Sequence, residues 1–247
     1  MACPPVGGVM VSESRLALAR DLAGEFRARE GRNLVAVGVY GSAAQGTDRE
    51  FSDVDMLVVV RQKRRYIHAQ MRKGTLVTIL QLTPEEAREE VLGGRSDLEE
   101  ALGGWRSMRA IYDPGRLLAR LRRHAYRPSA EQFREAARLA ILETYEDYGK
   151  VRNAIASGDR EEMREMAIWF TSAAHMAVFD LAQEVLPTGR RAYIDLKRHG
   201  TVGRDIRSLR YGRHNRADTR ELADRIWDGL LSRARRQGVP LSEFGGA

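Results

Sequence analysis

Apolar positions along this chain fall into two rhythms, and the change from one to the other comes near residue 113. Before it, short apolar runs bounded by turn residues dominate. Leu34–Tyr40 (LVAVGVY) and Val54–Val60 (VDMLVVV) are Val-rich and of strand length, and Thr75–Leu82 and Arg109–Asp113 read the same way. Ahead of them, residues 13–30 carry Leu16, Leu18, Ala19, Leu22, Ala23 and Phe26 on one helical stripe, with Ser12 or Ser14 as the cap. Thr83-Pro84-Glu85-Glu86 opens a further helix, with Thr as cap and Pro at the first helical position. Residues 97–102 add another turn or two. The basic run 61–73, with Lys63-Arg64-Arg65 inside it, reads as a short exposed helix or loop.

After Pro114-Gly115 the strand signals stop and helical spacing takes over. Residues 116–123 form one helix. Ser129 caps a long one over 130–156, ended by Ser157-Gly158. Residues 160–185 form a heavily apolar helix, terminated by Leu186-Pro187-Thr188-Gly189. A last helix over 219–237 carries Leu222, Ile226, Trp227, Leu230 and Leu231 at helical spacing. The expectation is an α+β domain over 1–125, of which 1–12 form a loose tail, followed by a helical domain over 126–247.

The chemistry concentrates between the first two strands. Gly41-Ser42 ends one of them, and Asp53-Val54-Asp55 opens the next. Strand side chains alternate faces, so Asp53 and Asp55 point to the same side. Two adjacent carboxylates repel, and a divalent cation removes the repulsion; hard oxygen ligands of this kind suit magnesium, which takes phosphate oxygens to complete its shell. Gly41-Ser42 offers backbone N–H groups and a hydroxyl where a phosphate can approach closely. Alone, a Gly-Ser turn says little and an Asp-x-Asp is most often a solvated strand end. Their joint spacing between two buried strands describes a site for a metal–nucleoside triphosphate.

Composition narrows the partners. With 41 Lys and Arg against 34 Asp and Glu, the chain carries a formal charge of +7, which favours anionic ligands. The single cysteine, Cys3, rules out an internal disulfide, and no apolar run reaches the roughly 18 residues that span a bilayer. A cytoplasmic protein with no membrane partner is expected. None of the five histidines has zinc-ligand spacing. Between Arg190 and Arg216 lie nine Arg or Lys residues against Asp195 and Asp205, with Tyr193, Tyr211, His199 and His214 interleaved. Such a segment can bind a nucleic-acid backbone and stack on bases, or serve as a solvated face or half of a dimer contact.

Gly41-Ser42 with Asp53-Val54-Asp55 resembles the signature of the polymerase-beta-like nucleotidyltransferase superfamily. Within it, Gly38-Val39-Tyr40-Gly41-Ser42, Ile111-Tyr112-Asp113 and Glu146-Asp147-Tyr148-Gly149-Lys150-Val151-Arg152-Asn153 are similar to the kanamycin (aminoglycoside) nucleotidyltransferase family. The resemblance runs through most of the chain in order. It implies an N-terminal domain with a mixed sheet flanked by helices, a C-terminal helical bundle, and a homodimer that shares its site across the interface. It also implies transfer of a nucleoside monophosphate, AMP from ATP being the expected case, to an acceptor hydroxyl with release of pyrophosphate. Asp53 and Asp55 then hold Mg2+, Glu146 is the general base, and Lys150, with Gly41 and Ser42, contacts phosphates. From spacing alone, Glu146 and Lys150 are equally an ordinary i,i+4 ion pair. The chain departs from the pattern in one strand: Thr75–Leu82 contains no acid, although the superfamily draws a third carboxylate from there and the aminoglycoside enzymes use acids in and before it to hold ammonium groups. Transfer to RNA or to a protein side chain, and a non-catalytic nucleotide-binding module, are the alternatives.

Overall fold

The computed structural model describes residues 12–187 and 189–241; the expected tail lies almost entirely outside them. The chain forms two compact units. One comprises the chain up to Leu92 together with Leu102–Arg127, and the other comprises Gly93–Ala101 and the chain from Pro128 onward.

The first unit is built on a five-stranded sheet in the order β3-β4-β2-β1-β5. Its strands are β1 (Leu34–Tyr40), β2 (Val54–Val60), β3 (Ile67–Arg72), β4 (Thr75–Leu82) and β5 (Arg109–Tyr112). β2 and β4 run parallel, and all other neighbours are antiparallel, so the sheet is mixed as expected. Helix α1 (Ser12–Glu30) covers one face, where Leu18, Leu22 and Phe26 pack with Val37, Val39, Met56, Val58, Val77 and Ile79. These are the alternate strand positions that the period-2 pattern assigns to a single face. The short helix α2 (Gly41–Gln45) follows β1 directly, where the sequence suggests only a turn and loop.

The basic run 61–73 is corrected by the structure. Residues 67–72 form the edge strand β3, paired antiparallel with β4 through a two-residue turn in which Lys73 (φ 49°) and Gly74 (φ 77°) are both left-handed. That is the turn geometry whose twist suits a hairpin. Beyond β4, α3 (Pro84–Leu92) begins with the expected cap. The Glu86 N–H donates to Thr83 Oγ1 (3.2 Å), and the Thr83 N–H donates to Glu86 Oε2 (2.8 Å). Helix α4 (Leu98–Ser107) is longer than its predicted turn or two, and α5 (Leu117–Ala125) follows β5.

The second unit is helical. Helix α6 (Ala130–Ser157) starts on a Ser129–Gln132 capping box and ends at Gly158. Helix α7 (Arg160–Ala182) starts on Asp159, whose carboxylate accepts from the Glu161 and Glu162 N–H groups. The basic segment 190–216, read from sequence only by its charge, contains the one-turn α8 (Ala192–Asp195) and α9 (Gly200–Tyr211); α10 (Arg216–Arg236) follows an Asn215 cap. Ile141, Phe170, Val178, Phe179, Ile206 and Leu230 meet in the core of this unit. Several of the segment's cations are spent on packing. The Arg210 guanidinium lies 4.1 Å from the Tyr193 ring centroid and donates to Ile168 O (3.0 Å), Thr171 Oγ1 (3.1 Å) and Ser172 Oγ (3.0 Å).

Two acids in this unit are buried without a cation. Glu99 and Asp180 are 0% and 1% exposed, and none of their four carboxylate oxygens has a hydrogen-bond partner among the described residues. Burial pushes Glu99 up to about 8, with the charges of Asp97 and Glu100 adding to it. Asp180 is raised well above the carboxylate range by burial and then by Glu99. Among the described residues no helix is long and apolar enough to cross a membrane.

Candidate active site

The strand register assembles the first half of the site. Tyr40, the last residue of β1, lies opposite Asp55 on β2, and Asp55 is level with Thr78 on β4. Asp53 sits just before β2, and both aspartates are half-buried. Gly41 explains why the motif begins with glycine. Its φ is +71°, and a Cβ built there would stand 2.7 Å from Asp55 Oδ2. Any larger residue would be strained in its backbone and would push the carboxylate away. Burial, and then the charge of Asp53, raises Asp55 to about 6. Tyr40 is raised as well, first by burial and then by Asp55.

Two neighbours with no signal in the motif hold these pieces in place. The Gly41 N–H donates to Ser107 Oγ (3.0 Å), and that hydroxyl donates to the Gly104 carbonyl (2.7 Å). One of the N–H groups expected to face a phosphate is therefore engaged by the end of α4. Ser42 is half-buried in α2, and its carbonyl accepts from the Thr47 N–H (3.0 Å), closing the turn after the helix. The loop from Gly46 to Asp53 is fastened from α1. Arg15, 1% exposed, pairs with the Asp48 carboxylate, itself 1% exposed in its side chain, and donates to the Glu50 carbonyl (2.8 Å).

Asp53 and Asp55 suit a divalent cation. They supply hard oxygen donors on one face, and the missing Cβ of Gly41 leaves Asp55 Oδ2 room beside the backbone. Thr78 stands level with Asp55 where a third acid would lie, and among the described residues no three His, Cys, Asp or Glu side chains are grouped to hold a metal. Such a cation would rest on two carboxylates and take its other ligands from substrate and water.

Glu146 and Lys150 lie on α6, in the helical unit. Lys150 Nζ is 2.9 Å from Glu146 Oε1, 2.9 Å from Asp147 Oδ1, and 5.2 Å from the centroid of the half-exposed Trp169 ring. The Glu146 side chain is 74% exposed. The hydrogen bond to Glu146, followed by that to Asp147, raises Lys150 above its usual range. The structure thus groups Gly41, Ser42, Asp53 and Asp55 in one unit and Glu146 with Lys150 in the other. The i,i+4 ion pair expected from their spacing is present.

Comparison with known proteins points to nucleotidyltransferases. The nucleotidyltransferase domain family matches residues 19–104, which take in the second part of α1, β1, Gly41-Ser42, both aspartates and most of α4. Aminoglycoside nucleotidyltransferase (4') from a Bacillus species is 24% identical over 172 residues, covering 69% of this chain and 68% of that protein. The Staphylococcus aureus protein of the same name is similar to the same extent. Among solved structures, a nucleotidyltransferase-like protein from Exiguobacterium sibiricum superposes with a TM-score of 0.56 at 12% identity, over 90% of this chain and 75% of that one. That likeness bears on the fold.

Proposed function

From the premise that this chain is a nucleotidyltransferase of the kanamycin nucleotidyltransferase-like family, we propose that it moves AMP from ATP onto a hydroxyl of a small molecule, using magnesium, and releases pyrophosphate. The observation that carries this reading is the close approach of Gly41 to Asp55, with Asp53 beside it. A nucleotide-binding turn and a carboxylate pair meet there at one sheet end.

Asp53 and Asp55 would hold the cation, which when bound neutralises charge on the triphosphate and polarises the α-phosphorus. The residues of the chain do the rest. Ser42 and Lys150 hold phosphate oxygens, Lys150 as a fixed cation that stabilises charge building up on the leaving pyrophosphate. Glu146 accepts the proton of the acceptor hydroxyl, and its exposure leaves it accessible for that role. The same reading assigns nucleotide binding to residues 1–125, the helical domain to 126–247, and a shared site to a homodimer in the cytoplasm.

Pyrophosphate release across the four nucleoside triphosphates, with pooled acceptors and with or without magnesium, tests the proposal. ATP-dependent, magnesium-dependent release is expected, and release unaffected by chelation would overturn the metal assignment. The names of the curated relatives favour an aminoglycoside acceptor as a second reading. The acid-free strand Thr75–Leu82 counts against it. Nucleic acid bound through Arg190–Arg216 is weaker still, since Arg207 and Arg210 are engaged in internal contacts.

A further inference from the structure

We infer that the acceptor is a neutral, carbon-rich alcohol, received on an apolar shelf that β3 and β4 form beside Asp53 and Asp55. This rests on the nucleotide-transfer reading above. The register makes the shelf explicit. Tyr40, Asp55, Thr78 and Ala69 form one row across β1, β2, β4 and β3. Directly paired residues share a face, so Thr78 and Ala69 extend the side of the sheet on which Asp55 stands. Two residues nearer the Asp53 end, Leu76 and Met71 form the next pair on that face. Both are open, Leu76 at 42% and Met71 at 65% exposure.

The shelf is apolar by placement, not for want of charge in the strand. Arg72 of β3 belongs to the opposite face and pairs with Glu25 of α1 (2.7 Å), and Lys73 of the turn pairs with Asp21 (3.2 Å). The positions facing Asp55 are Thr78, Ala69, Leu76 and Met71. A polycation would find no carboxylate on them. An apolar body would cover methyl and thioether groups that otherwise meet water.

The reaction decides which substrate lies there. Phosphoryl transfer is in line, so attacking and leaving oxygens stand on opposite sides of the phosphorus. Ser42, assigned above to the departing phosphates, follows β1 and so lies on the β1 side of Asp55. The attacking hydroxyl therefore comes from the β4–β3 side, over the shelf. Its oxygen forms the bond to the α-phosphorus, the α–β bridging bond breaks, pyrophosphate leaves with the electron pair, and the proton passes to Glu146.

The test uses the full chain with phenyl β-D-glucoside as the neutral apolar alcohol and kanamycin as the polycation. Methyl-labelled methionine spectra, with Met71 assigned by Met71→Leu, should show its resonance moving with the glucoside and not with kanamycin. Transfer from MgATP should favour the glucoside in kcat/KM by about 10-fold or more. Met71→Glu/Leu76→Glu should cut that ratio by a similar factor, and Met71→Glu alone by less; both positions are exposed, so the fold tolerates the charges. A Met71 resonance indifferent to the glucoside, kanamycin used equally well, or a ratio unchanged in the double variant overturns the shelf. Calorimetric titration with MgATP separates the two premises. A wild type that does not bind MgATP removes the nucleotide reading itself, whereas one that binds it and fails the tests above removes only the shelf.

Discussion

Asp55, beside Asp53, and the buried pair Glu99–Asp180 are acids with raised affinity for protons, yet only the first has the makings of a site. Burial and a like charge act on both. The first pair is half-open, lies at a sheet end beside a glycine with no Cβ, and can meet a cation and its phosphates. The second is closed, 0% and 1% exposed. Burial without a cation favours the protonated form of both carboxyls. A perturbed acid therefore identifies chemistry only where a path to solvent accompanies it.

Substituting each pair should separate them. The largest effect is expected from Asp55→Asn, which removes a proposed metal ligand and should lower nucleotide transfer by about 10³-fold or more. Its melting temperature in metal-free buffer should not fall, because the substitution relieves repulsion; a steady-state assay beside calorimetry checks both. Glu99→Gln, by contrast, should leave the rate within about twofold. A large rate loss there would erase the distinction between the pairs.

Glu146→Gln comes next. It keeps shape but cannot accept a proton, so turnover should fall by roughly 10²-fold while MgATP affinity persists. Equal loss of both would return Glu146 to a purely ionic partner of Lys150. Gly41→Ala should act on the open pair through the backbone. The left-handed φ and the 2.7 Å approach to Asp55 predict destabilisation of about 2 kcal/mol together with lost turnover, read by denaturant titration and rate.

The smallest effect distinguishes the closed pair by pH. Glu99 moves from its ordinary value of 4.5 to about 8 on folding. Below the lower value it is protonated in both states and its neutral form is accommodated fully. Between the two, the unfolded chain releases a proton that the folded chain keeps, so stability declines as pH rises toward 8. Glu99→Gln should flatten that decline and raise the melting temperature at pH 8.5 by a few degrees, on the order of 1–2 kcal/mol. An unaltered slope would show that the pair is neutralised by something other than protons.

The sequence made the open pair legible because its constraints are local. Valine runs mark β1 and β2, a spacing of two puts both aspartates on one face, and the caps at Thr83 and Ser129 are written in adjacent residues. What escaped was long-range or ambiguous. Ile67, Ala69 and Met71 alternate as a strand should, but they point outward from an edge and sit within a basic run, so the pattern looks like a solvated loop. Ser107 reaches Gly41 across 66 positions, and Glu99 meets Asp180 across the helical unit. No local rhythm announces either meeting.

The Arg15–Asp48 pair has a consequence for how this sequence can drift. Removing either partner alone would strand a charge at a position with almost no access to water, a loss of about 3–5 kcal/mol, whereas a matched apolar pair can be tolerated. Single steps away from the present state are thus blocked while the double step is open. Among descendants of a common ancestor the two positions should covary, exchanging together or not at all. Wherever both have become apolar, the carbonyl of residue 50 should have acquired a new donor, and that donor would mark where the lineage crossed.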